Sequence, residues 1–252
     1  MLTKHDHGGV LEIRLARPPV NALHHPLVRE LRAAVEAAPA SGAQAIVLSG
    51  APGMYSGGLD VPELLKLDRA GMARFWEDFI ALLRCLAVSP VPVAAAITGH
   101  SPAGGAVLAL FCDRRIAAQG NFKIGLNEVQ VGLPVPRVIL GALVRLVGAR
   151  EAEHLAVRGL LVSPDEALAL GLVDQVVAPD ETVPEALAWC REVMALPPKA
   201  MALTRMALRA DLKLLFDTLG PGSQEEMTAV WFSEETQRVL RALVEKLSAK
   251  KK

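Results

Sequence analysis

No window of this chain approaches the ~20 consecutive apolar residues that a membrane-spanning helix needs. The start from Met1 to Gly9 is polar and lacks the apolar stretch of a secretory signal. Both observations point away from membrane and secretory classes and toward a soluble cytoplasmic protein. Net charge is missing as well, because 27 Lys and Arg offset 27 Asp and Glu. That balance argues against nucleic acid or an anionic membrane as the main partner. The locally basic Lys250-Lys251-Lys252 end reads as a solvated helix terminus. Cysteine is scarce: Cys85, Cys112 and Cys190 are widely spaced and odd in number. No disulfide framework is implied, and reduced, packed thiols are expected. His5-x-His7 and His24-His25 lack helical i, i+4 spacing and have no acid at ligand distance, so no metal site is expected. Low-complexity segments are absent, and no internal repeat stands out.

What the chain does have is length and alternation. Its 252 residues suffice for roughly 70–75% of the unfolded surface to be buried without covalent staples. Leu11, Ile13 and Leu15 alternate with Glu12 and Arg14, which predicts a half-buried strand closed by Pro18-Pro19. A helix follows from Pro26 to Ala38, then a short apolar strand from Ala45 to Leu48. Gly71 to Val88 reads as a helix with Phe75, Phe79, Leu82, Leu83 and Leu86 on one face. Val91 to Thr98 is continuously apolar, the mark of a strand buried on both faces. Further on, Ala106 to Phe111 is helical, Arg115 to Ala118 extended and Val135 to Val147 an amphipathic helix. Ser163-Pro164-Asp165-Glu166 is a capping box with proline at the first helical position, and Gly171 ends that helix. Val173 to Val177 closes the strands. After Pro184 everything reads as helix, broken at Pro197-Pro198 and Gly220-Pro221-Gly222. The organisation is a βα core over 1–195 and an all-helical region over 196–252.

Two glycine-rich turns hold the candidate chemistry. Tyr55-Ser56-Gly57-Gly58-Leu59-Asp60 follows the strand at 45–48, and Gly99-His100-Ser101-Pro102-Ala103-Gly104-Gly105 follows the strand at 91–98. Both expose backbone N–H groups at the start of a helix, where the first donors have no internal partner and the dipole favours negative charge. Gly99-His100-Ser101 imitates a hydrolase nucleophile elbow, but Ala103 stands where its last glycine is needed. The late histidine of such a triad is missing too, since only His154 lies beyond Ser101. The spacing from Gly99 to Gly104 imitates a phosphate-binding loop, but Gly105-Ala106 replaces its Lys and Ser/Thr.

These turns, continued through Ala109-Leu110-Phe111-Cys112-Asp113-Arg114-Arg115-Ile116-Ala117 and Ile124-Gly125-Leu126-Asn127-Glu128, resemble the enoyl-CoA hydratase/isomerase (crotonase) superfamily. Within it the likeness is to the mitochondrial-type Δ3,Δ2-enoyl-CoA isomerases (dodecenoyl-CoA isomerase). Pro18-Pro19-Val20-Asn21, Gly171-Leu172-Val173-Asp174-Gln175-Val176-Val177 and Phe232-Ser233 extend it over residues 9–248. The resemblance implies an α/β fold of ClpP/crotonase type: a ββα spiral with two roughly perpendicular sheets and a helical C-terminal region that assembles subunits into a homotrimer or hexamer. It further implies an acyl-CoA substrate, CoA arriving as part of the thioester with no other cofactor, and an oxyanion hole from the N–H groups of Leu59 and Gly104.

Glu128 matches the family's acid/base, while Val107 stands where hydratases carry a second glutamate. Hydration needs a base for water and an acid for C2, whereas allylic isomerisation needs one group that takes a proton from C2 and returns it at C4. The expected activity is therefore isomerisation of 3-enoyl-CoA to trans-2-enoyl-CoA in fatty acid β-oxidation. A hydratase or another acyl-CoA activity of the same scaffold, with Glu63 a candidate second acid, is the rival within enzymes, and a non-catalytic acyl-CoA-binding scaffold the rival outside them. Ser56, Gly58, Asp60, Val107 and Asn127 complete the expected substrate site, with Asn127 orienting Glu128 or the thioester and Ser56 and Asp60 shaping the first loop. Asp113 is expected to cap or to pair with a nearby arginine, and Trp231 and Phe232 to serve the core, a subunit contact or the acyl pocket.

Overall fold

The computed structural model describes residues 1–220 and 222–249; the basic end at 250–252 lies outside them. The first elements are β1 (Leu2–Asp6), β2 (Val10–Leu15), α1 (His25–Ala37), β3 (Ala45–Ser49), β4 (Gly53–Met54), α2 (Val61–Leu64) and α3 (Arg69–Ala87). Then come β5 (Val93–Ile97), β6 (Gly99–Pro102), α4 (Gly104–Leu110), β7 (Arg114–Ala118), β8 (Ile124–Gly125) and a 3-10 turn at Glu128–Val131. The rest is α5 (Arg137–Arg158), α6 (Pro164–Ala169), β9 (Gln175–Val177), α7 (Thr182–Met194), α8 (Pro198–Leu208), α9 (Ala210–Asp217), α10 (Ser223–Trp231) and α11 (Glu234–Ala249).

Two sheets carry the strands. Six form the larger one in the order β1-β2-β3-β5-β7-β9, parallel except for β1, and β4-β6-β8 form a parallel second sheet. Each turn of the chain thus lays one strand in the large sheet and one in the small, then crosses back through helix. This is the ββα winding of the crotonase fold.

Side-chain alternation explains how the large sheet is covered. Along β3, Ala45 and Val47 face Ala186, Leu187 and Cys190 of α7, while Ile46 and Leu48 join the main core under α1 and α3. A strand covered on both faces has no use for polar residues, so β3 and β5 read as unbroken apolar runs. In α3, Asp68 accepts from the Gly71 N–H at 2.6 Å, and Phe75, Phe79, Leu82, Leu83 and Leu86 are all buried. The capping box at α6 forms in both directions, and Gly171 leaves the helix at φ 77°.

One element is new and two expectations change. The polar start is a strand, β1, because an edge strand gains its pairing from backbone and tolerates charge on an exposed face. Gly99–Pro102 is strand β6, not turn: a Cβ at Gly99 would overlap the Gly53 backbone, so glycine is what lets β4 and β6 pair. The helix expected to end at Val147 breaks at Gly148 (φ 77°) and resumes to Arg158.

The helices after Pro197 are fastened to the core. Arg205 and Arg209 grip the partly buried Asp113 at 2.8 and 2.9 Å, one of the two roles expected for that acid. Phe216 of α9 packs on Phe111, Trp231 of α10 stands edge-on to Trp76 at 6.1 Å, and the Thr236 hydroxyl of α11 donates to Gly132 O at 2.7 Å. Trp231 is fully buried and takes the core role.

Candidate active site

The small sheet positions the chemistry. Its three strands are parallel neighbours, so the chain leaves all of them at the same end, and those exits carry Leu59 after β4, Gly104 after β6 and Glu128 after β8. All three line one cavity.

Leu59 forms an isolated parallel bridge with Leu23. The bonds belong to its neighbours: Leu23 N–H donates to Gly58 O at 2.7 Å, and Asp60 N–H donates to Leu23 O at 3.0 Å. In a parallel bridge the residue between those two turns its own N–H to the opposite side. Among the described residues, the Leu59 N–H has no acceptor.

Gly104 opens α4, where the first N–H groups lack intrahelical partners. Ala103 before it sits at φ 47°, ψ −121° and is held by its N–H to Gly125 O at 2.8 Å. Backbone of this kind on a residue with a Cβ costs about 1–3 kcal/mol and persists where surrounding structure enforces it. The two loops touch: a Cβ on Gly58, whose φ is 84°, would lie 3.3 Å from Gly104 N and 3.0 Å from Ala103 Cβ. A Cβ on Gly105 would lie 2.6 Å from Ser56 O. These glycines bring two free donors to one wall.

Glu128 begins the 3-10 turn after β8 and is 9% exposed. Its Oε2 has no hydrogen-bond partner among the described residues. Burial pushes the carboxyl up to about 7, opposed only in part by the bond from its own backbone N–H. It is the one ionisable side chain on the cavity lining among the described residues. The remaining walls are apolar, with Trp76 and Phe79 from α3, Val107 from α4, and Ile139 and Met227 from α5 and α10.

The other expected residues support the loops from behind. Ser56 is fully buried and donates to Asn21 O at 2.9 Å. Asp60 caps α2 through the Glu63 N–H at 3.2 Å and pairs with Arg17 at 2.6 Å. Asn127 stands beside Glu128, its Oδ1 unpartnered among the described residues. Glu63, the second acid a hydratase would need, is paired with Lys66 at 2.7 Å, exposed, and off the cavity. Ser101 is fully buried in β6, where a nucleophile elbow would expose it. Sequence reasoning missed Trp76 and Met227 as cavity walls: the apolar face of α3 is broad enough to serve core and pocket together, and Met227 comes from a region read as separate from the core.

The family model described as enoyl-CoA hydratase/isomerase matches residues 5–251. The chain belongs to that family. Human mitochondrial enoyl-CoA delta isomerase 1 is 33% identical over all of this chain and 84% of its own length. The probable enoyl-CoA hydratase echA17 of Mycobacterium avium is 37% identical over 82% of this chain and 80% of its own. The crystal structure of human mitochondrial delta3-delta2-enoyl-CoA isomerase superposes with a TM-score of 0.95 at 31% identity, covering 100% of this chain and 99% of that one. As a member of the enoyl-CoA hydratase/isomerase family this chain is an enzyme acting on acyl-CoA, and relatives named for isomerisation and for hydration both stand near it. No helix among the described residues is long and apolar enough to cross a membrane.

Proposed function

We propose that this enzyme isomerises 3-enoyl-CoA to trans-2-enoyl-CoA, serving fatty acid β-oxidation, with Glu128 as its single proton carrier. The observation that carries this reading is the cavity lining: Glu128 is its only ionisable side chain among the described residues, and the buried Val107 holds the α4 position of a second glutamate. The thioester oxygen accepts from the Leu59 and Gly104 N–H groups. The Glu128 carboxylate takes a proton from C2, the electron pair moves toward the thioester oxygen, and the dienolate is held by the two donors. The protonated carboxyl then returns its proton to C4 while the double bond settles between C2 and C3, so atoms and charge balance. A carboxyl near 7 suits both halves of this cycle, because neither form is strongly favoured at neutral pH. Apolar walls exclude the water that would add across the double bond.

CoA enters as part of the substrate, and the cycle calls on no metal or other cofactor. The exposed Leu203 and Leu208 of α8, 64% and 67% accessible, are assigned to assembly into a homotrimer or a pair of trimers. Three free thiols suit a reducing compartment such as the cytoplasm. Purified protein with 3-enoyl-CoA should generate the absorbance of a conjugated thioester; accumulation of 3-hydroxyacyl-CoA in its place would establish the hydratase. A Glu128→Gln enzyme as active as the parent would revive the non-catalytic reading.

A further inference from the structure

We infer that Asn21 is a positioning residue that sets the Leu59 N–H at the thioester oxygen, acting as the keystone of a splint made by residues 17–23. The inference rests on the reading of Leu59 N–H as an oxyanion donor.

The loop leaving β4 has only a two-residue strand behind it. Something else must hold it. Asn21 Nδ2 donates to Met54 O at 3.3 Å and Tyr55 O at 3.1 Å. The Ser56 hydroxyl donates to Asn21 O at 2.9 Å, Gly57 N–H to Val20 O at 2.7 Å, and Leu23 N–H to Gly58 O at 2.7 Å. Asp60 N–H donates to Leu23 O, and its carboxylate meets Arg17 at 2.6 Å. Every residue from Met54 to Asp60 is therefore bonded to the 17–23 segment except Leu59. The one residue the splint leaves unbonded is the one whose N–H the chemistry needs.

Asn21 is 2% exposed and sits at φ 50°, one of two non-glycine residues with positive φ among those described. The other is Ala103, beside the second donor. Asparagine tolerates this conformation better than most residues, but glycine would adopt it without cost. The side chain is retained for its bonds: Oδ1 accepts from Arg17 N–H at 2.8 Å while Nδ2 spans two loop carbonyls. Both ends of the amide are used to tie the splint to itself and to the loop.

This arrangement separates backbone conformation from hydrogen bonding. Asn21→Gly keeps the φ and removes only the amide. The expected result is a fall in kcat of about 10- to 100-fold, the scale of a donor displaced by a fraction of an ångström. Binding of hexanoyl-CoA, a saturated thioester that cannot isomerise, should hold within about threefold, because most of its contacts lie elsewhere. The decisive readout is the carbonyl stretching frequency of bound hexanoyl-CoA: lowered in the parent enzyme by the two donors, and lowered less in Asn21→Gly, with the acid limb of the pH profile unmoved. Ser56→Ala, which removes a single splint bond, should shift the frequency in the same direction by less, and decides the matter if Asn21→Gly fails to fold. A folded Asn21→Gly enzyme with parental kcat and carbonyl frequency overturns the inference while leaving the oxyanion hole intact. A parent enzyme with no lowering of the frequency overturns both.

Discussion

Glu128→Gln should destroy activity and yet stabilise the fold, by an amount that depends on pH. The carboxyl titrates near 7 in the folded chain against an ordinary value of 4.5 because burial disfavours its charge. At about 1.36 kcal/mol per pH unit of separation, ionising it in place costs about 3 kcal/mol. Below 4.5 both folded and unfolded chains hold the proton and the penalty is absent. Between 4.5 and about 7 the unfolded chain has released it and the folded chain has not, so stability drains away as pH rises; above about 7 the penalty is complete. Glutamine has nothing to ionise. Whatever constant offset its amide introduces, the stability of Glu128→Gln relative to the parent should therefore climb by about 3 kcal/mol across that window, roughly 6 °C in melting temperature for a chain of this size. Melting both proteins at one protein concentration in matched buffers checks this, since other titrations cancel in the difference. Parental kcat/KM must rise through the same pH range, because the free enzyme needs the carboxylate to take the C2 proton. A stability difference that stays flat from pH 4.5 to 8 would show a solvated, ordinary carboxyl and would remove the physical basis for Glu128 as the proton carrier.

Gly104→Pro deletes one proposed donor at the first residue of α4, so kcat should fall by at least ~10²; unchanged turnover would clear Gly104 of that role. Val107→Glu restores a second acid to the cavity and should raise the ratio of hydration to isomerisation, read from 3-hydroxyacyl-CoA against conjugated product; an unchanged ratio would mean that water access is set elsewhere. Asp113→Asn strands Arg205 and Arg209, whose side chains are 9% and 7% exposed, and should cost about 3–5 kcal/mol of stability. Denaturant unfolding measures that loss, and a loss under 1 kcal/mol would show that the C-terminal helices do not depend on this charge pairing.

How far the sequence announces such a site depends on how many residues each part uses. The large sheet is legible because a short apolar run bounded by proline and glycine, as in Val93–Ile97, fits a strand covered on both sides. The small sheet is not, because β4 and β8 have two residues each and β6 has four. No periodicity can register in so few positions. Its first two strands pair because Gly99 lets two backbones meet and Gly53 takes a φ of 79°, a signal indistinguishable in sequence from a turn. The winding that repeats three times in space leaves no repeat in the letters for the same reason. Yet the proposed chemistry sits just beyond those unreadable strands, and Leu59, Gly104 and Glu128 are singled out by the glycines and the acid that follow them rather than by the strands themselves.

Asn21 marks the limit of that route. It was visible only as part of a family motif, Pro18-Pro19-Val20-Asn21, while its work is done 33 and 34 residues away at Met54 and Tyr55. A side chain that serves another segment's backbone leaves little local pattern, since its one nearby bond, accepted from Arg17 N–H, needs an oxygen and not the amide N–H. The same holds for Trp76 and Met227, which face the substrate cavity from helices whose apolar residues satisfy packing and pocket at once. Residues that carry charge at a loop end can be read from sequence because few structural roles compete for them. Residues that aim those groups are read from coordinates, because every one of them also has an ordinary structural reason to be there.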